Sequence, residues 1–191
     1  MGLFRARQRW EPGPDDSMVL SLTEVELALL QNLPDDMRTV LLTSDDDPAR
    51  KRLFPRAYLD PTADAAETEW RDAVYPDLVD QRFDALDVVG ATLTRAVVAG
   101  RDREWREITL AADEVQAWLA VLNDVRLVLG IRLGVSDDEP PELPDDDPGA
   151  AAWEFYDWLT YLQGSLVETL LGDFDESGLF DDLDDLDDLD D

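Results

Sequence analysis

The sequence predicts a mainly α-helical protein: one bundle of about six helices, a small N-terminal β-hairpin and a disordered acidic C-terminal tail. Three observations carry this. Apolar residues recur at three- and four-residue steps over most of the chain from Ser21 to Gly172. Helix-start chemistry interrupts these runs at Ser21, Asp60-Pro61 and Asp147-Pro148. Eight of the last eleven residues are Asp, set in Leu-Asp-Asp triplets that place leucine on no fixed helical face. The division that follows is a helical domain over 1–172, with the hairpin at 3–20 and helices from 21, and a low-complexity tail over 173–191.

Leu3 to Trp10 alternates, with Arg5, Arg7 and Arg9 on one side and Phe4, Ala6, Gln8 and Trp10 on the other. Turn residues Glu11 to Asp16 and the apolar run Met18-Val19-Leu20 complete a hairpin pattern. Ser21 and Glu24 have capping-box spacing, and Leu22, Val25, Leu29 and Leu33 form one helical face that Pro34 should end. Asp35 to Leu42 reads as a second short helix, and residues 43–60 as a loop. Asp60-Pro61 opens a helix to about Val74, and Pro76 opens another from Asp77 to about Val98, carrying Val79, Phe83, Leu86, Val89, Leu93 and Val97. Gly100 to Arg106 is a polar connection.

The helix expected from Leu110 to Gly134 is the most telling. Val115, Trp118, Leu122, Val125, Leu129 and Leu133 make a stripe, and Val121, Leu127, Val128 and Ile131 make its other sides apolar. Such a helix belongs in the centre, contacted from several directions. Residues 136–149 form an acidic, proline-rich linker. The last helix bears Trp153, Phe155, Tyr156, Trp158, Leu159, Leu162, Leu166 and Leu170, aromatics that read as core or as a binding platform.

Charge and composition narrow the functions. The 191 residues include 46 acids and 16 bases, for a net charge of -30, with no His and no Cys. Ser-His-Asp and Cys-His nucleophile systems, imidazole or thiolate zinc sites, disulfides and thiol switches are therefore excluded. Such an anion is repelled by polyphosphate, so no direct nucleic-acid binding is expected. Lys51 is the one lysine beside 15 arginines, a bias that fits a GC-rich genome or adaptation to high salt. No export signal or membrane span is visible, which points to the cytoplasm. The runs Asp35-Asp36, Asp45-Asp46-Asp47, Asp137-Asp138-Glu139 and Asp145-Asp146-Asp147 lack calcium-loop spacing, and no phosphate-cradling glycine motif is present. The reading is a non-enzyme with no catalytic residue, metal or cofactor.

Two groups of side chains stand out. Arg50, Lys51, Arg52, Phe54, Arg56 and Tyr58 gather four cations and two aromatics in a short segment of an acidic chain. They read either as a docking patch for an acidic partner or phosphate, or as an internal clamp whose Leu53, Phe54 and Tyr58 enter the core. Asn123, Arg126 and Arg132 flank the stripe of the central helix as a polar cluster, expected to pair with carboxylates of neighbouring helices or to form a ligand site.

Three stretches together carry a resemblance: Arg52 to Tyr58, Trp118 to Gly134, and Tyr156 to Leu166. Over about residues 3–171 the chain resembles an actinobacterial family long labelled as a domain of unknown function, the AosR family of oxidative-stress regulators, typically encoded beside the ClpS protease adaptor. The W-L-x-x-L-N-D-x-R-L-x-L-G-x-R-L string is the most specific part. The resemblance implies a regulator that contacts an extracytoplasmic-function sigma factor with RNA polymerase and raises stress genes. The gene neighbourhood implies an alternative, an adaptor or scaffold for ClpS/Clp proteolysis. The family's described type switches through a C-x-x-x-C disulfide, which a chain without cysteine cannot form. No functional residue carries over.

Overall fold

The computed structural model describes residues 9–136, 143–144 and 147–176. The expectations for the first eight residues, for much of the acidic linker and for the tail after 176 lie outside those residues. The order is β1 (Trp10–Pro12), β2 (Met18–Thr23), α1 (Glu24–Leu41), α2 (Pro48–Leu53), a 3-10 turn (Pro61–Ala63), α3 (Asp64–Leu93), β3 (Val97–Ala99), β4 (Trp105–Leu110), α4 (Ala112–Leu133) and α5 (Pro148–Glu176). The described residues are mainly helical, with five α-helices and one antiparallel sheet.

The hairpin is half of that sheet. Its strands run β1-β2-β4-β3, with Trp10 opposite Leu20, Met18 opposite Leu110 and Val97 opposite Glu107. The stretch from Val97 to Leu110, expected as a helix end, a polar connection and a helix start, is thus a second hairpin. Two β-branched residues at Val97-Val98 and the alternating burial of Ile108 and Leu110 suit a strand. Gly100 and Arg103, both at positive φ, turn the chain between the strands. In β2, Met18, Leu20 and Leu22 all face the core.

The first helix starts two residues later than expected. Thr23, not Ser21, is its N-cap, and Glu26, not Glu24, closes the capping box. Its buried side is Leu27, Leu30, Leu33, Pro34, Met37 and Leu41, while Val25 is exposed. Pro34 does not end it, so the two expected helices are one. Pro34 is buried near α3, where a Cβ on Gly90 would lie 3.8 Å from the proline Cγ. That packing offsets the lost hydrogen bond. Pro76 likewise lies inside α3. The carbonyl it deprives of a donor belongs to Asp72, on an exposed stretch where water can serve it. Residues 43–60 are not all loop: Asp47 caps the six-residue α2 through the amides of Ala49 and Arg50. Asp60 caps the Pro61 turn as expected.

Helix α4 sits at the centre, in contact with α2, α3, α5 and β4. Its buried residues are Val115, Trp118, Val121, Leu122, Val125 and Val128. Leu129 and Leu133 of the expected stripe are only half-buried, because the helix emerges towards its Gly134 C-cap. The Trp118 ring meets Trp10 edge-on at 5.9 Å, and its indole donates to Thr92 of α3. From α5, Trp158, Leu159, Leu162 and Leu166 enter the same core, and the Trp10 indole donates to the Leu162 carbonyl.

Candidate functional site

The 50–58 segment begins as the end of α2 and continues as a loop beside α3. Arg50 is largely buried, its guanidinium donating to Asp45 at 2.9 Å and to the Tyr75 hydroxyl. It lies 5.4 Å from the Phe54 ring centroid and 5.7 Å from that of Tyr75, two rings 4.8 Å apart. Lys51 reaches Asp46 at 3.3 Å and Arg56 reaches Asp64 at 2.6 Å. The Asp64 carboxylate raises the Arg56 pKa further. Arg52 is exposed. Leu53 and Phe54 are buried, but Tyr58 is 43% exposed, so the aromatic tip of the segment faces solvent.

Helix α3 supplies what the segment itself lacks. Glu67 accepts the amides of Ala57 and Tyr58, both at 3.0 Å, and so pins the loop. Arg71 stacks on Tyr75 at 4.7 Å and approaches Asp45 at 3.5 Å. Arg82 lies 4.6 Å from Phe54, donates to the Leu53 and Leu78 carbonyls, and pairs with Asp124 of α4 at 2.9 Å. None of these four was singled out from sequence. The signal was present, since Glu67, Arg71, Tyr75, Leu78 and Arg82 recur at helical steps along one face of α3. Asp45, Arg50, Lys51, Phe54, Arg56 and Arg71 line a groove of about 310 Å³ with Pro55 and Tyr75.

The second predicted cluster is dispersed. Arg126 turns to α5, donating to Thr160 at 3.0 Å and Gln163 at 2.6 Å, neutral acceptors in place of the expected carboxylates. Arg132 turns to the start of α2 and pairs with Asp47 at 2.7 Å. Its hydrogen bond, with the amides of Arg50 and Ala49, holds the Asp47 carboxyl below the ordinary value. Asn123 is exposed beside Asp124, on a cleft of about 290 Å³ that also meets Gln81, Arg82 and apolar residues of α1, α3 and α4. Burial raises the Asp124 pKa, with Arg82 and Asn123 opposing.

Among the described residues no group of three His, Cys, Asp or Glu is placed to hold a metal ion, and no helix is long and apolar enough to cross a membrane. Fold and ion-pair pattern define a mainly helical, acid-rich domain whose cations are largely engaged by its own carboxylates. Residues 5–170 match the family described as a domain of unknown function, DUF2017, and the chain belongs to that family. It is 33% identical over 133 residues to the oxidative stress regulator AosR of Mycobacterium tuberculosis (strain H37Rv) and, equally, to that of Mycobacterium bovis. Each alignment covers 66% of this chain and 59% of the relative, so the chain spans under two thirds of those proteins. No solved structure matches it.

Proposed function

We propose that the chain is a non-enzymatic, cytoplasmic stress-response regulator that works through protein contacts, with a sigma factor and RNA polymerase as its partners. The observation that carries this reading is the disposition of charge. Arg38, Arg50, Lys51, Arg56, Arg71, Arg82, Arg95, Arg106 and Arg132 all engage carboxylates of the same chain. With 46 acids against 16 bases, the uncompensated charge left at the surface is negative. An acidic surface is steered towards basic ones, and DNA-binding faces of transcription proteins are basic. The names of the mycobacterial relatives support the stress-response part. These 191 residues contain no thiol, so no disulfide switch can form among them.

The test is retention of purified polymerase, with and without each extracytoplasmic-function sigma factor, on the immobilised full chain. Retention should be strong at low salt and weaken as the screening length shortens from about 30 Å at 0.01 M to about 8 Å at 0.15 M. Absence of retention at low salt overturns the reading. Capture of ClpS in its place would move the protein to the proteolytic-adaptor class.

A further inference from the structure

We propose that the groove between α2 and α3 binds small phosphate monoesters, the phosphate taking the place that Asp45 now holds between Arg50 and Arg71. Nothing in this depends on the sigma-factor reading. Two guanidiniums from different helices converge on one carboxylate: Arg50 Nε lies 2.9 Å from Asp45 Oδ1, and Arg71 Nη2 lies 3.5 Å from Asp45 Oδ2. In a chain with a large surplus of acid, this is a local shortage of it. The reverse holds at Arg38, which takes both Asp35 and Asp87.

The donors are held in place while the acceptor is not. Arg50 packs against the contacting rings of Phe54 and Tyr75, and Arg71 lies on Tyr75. Asp45 sits on the loop before α2 with its side chain 68% exposed, so its release into water is cheap. Arg50 Nη1 is buried with no hydrogen-bond acceptor among the described residues. A carboxylate offers two oxygens and one charge. A phosphate monoester offers three oxygens and nearly two charges near neutral pH, and so serves Arg50 and Arg71 with an acceptor to spare. Lys51 and Arg56 line the same groove, where about 310 Å³ leaves room for a small organic group on the ester.

Phenyl phosphate titrated into the full chain by calorimetry, with ionic strength matched by sodium chloride, tests the assignment. Saturable binding is expected, weakening as pH falls through about 6, where the monoester takes up its second proton. Arg71→Gln should weaken it about tenfold, the loss of one charge-assisted contact. Asp45→Asn removes the competing carboxylate and should tighten binding several-fold. Arg38→Gln changes net charge by the same amount outside the groove and should leave binding unaltered. The proposal falls if Asp45→Asn shows no saturable binding, or if Arg38→Gln weakens it as much as Arg71→Gln. Should Arg71→Gln lose its fold by circular dichroism, the Asp45→Asn gain decides the matter alone.

Discussion

Arg9 Nη2 lies 2.6 Å from Glu26 Oε1, and both side chains are wholly excluded from solvent. Glu26 Oε2 meanwhile accepts the Thr23 amide of the capping box. One carboxylate therefore neutralises a buried guanidinium and starts α1. Glu26→Ala should cost about 3–5 kcal/mol in urea unfolding, because it strands a buried charge and removes a cap. The double substitution Arg9→Met with Glu26→Leu should recover most of that loss, since two apolar side chains need no partner.

The Trp118 indole N–H donates to Thr92 Oγ1 at 3.0 Å, and the same hydroxyl donates to the Val89 carbonyl. Thr92→Val keeps the shape and leaves the buried indole donor without its acceptor. The expected loss is about 1–3 kcal/mol, read as a lower urea midpoint with unchanged m-value. Thr92→Ser should retain most of the stability.

Asp47 and Asp124 load pH dependence in opposite directions. Arg132 and two amides hold Asp47 below the ordinary 3.8, so its contribution is complete above that value and lost as pH falls through the folded-state pKa. Asp47→Asn should flatten the acid limb of the stability curve below about pH 4. Burial lifts Asp124 above 3.8, so the folded state binds the extra proton and stability falls as pH rises from 3.8 through the folded-state value. Asp124→Asn should remove that decline. Urea midpoints measured at steps between about pH 2 and 7 separate the two.

Two glycines should respond with opposite sign. At Gly100 φ is +79°, and a Cβ would come 2.8 Å from Trp105 Cδ1. Gly100→Ala should lower stability by more than about 1 kcal/mol. Gly164 lies in α5 with nothing within 4 Å of a Cβ. Gly164→Ala should raise stability by about 0.5–1 kcal/mol, by narrowing the conformations of the unfolded chain. Thermal melts of the two variants distinguish them.

Helical periodicity was legible because burial enforces it: the long apolar run around Trp118 announces a central helix, and α4 is that helix. Prolines misled where tertiary packing outweighs local chemistry. Pro34 is held by its contact with α3 and Pro76 by access of water to Asp72, neither of which a local pattern contains. The strand pair at Val97–Ala99 and Trp105–Leu110 was hidden because Val97 continues the helical spacing of Leu93 and only Ile108 and Leu110 show clear alternation. At the site, the cations of 50–56 were evident as a cluster. Their partners Glu67, Arg71 and Tyr75 lie on another helix, and only folding brings them together. Asn123, Arg126 and Arg132 were grouped by closeness along the chain, but their differing angles around α4 send them to different neighbours.

The indole of Trp10 is bolted to the carbonyl of Leu162, 152 positions away. During synthesis the indole of β1 must therefore wait until the chain through Leu162 has left the ribosome before it meets that acceptor. A nascent chain stopped short of α5 would hold that tryptophan without its docking point, an invitation to chaperones and proteases.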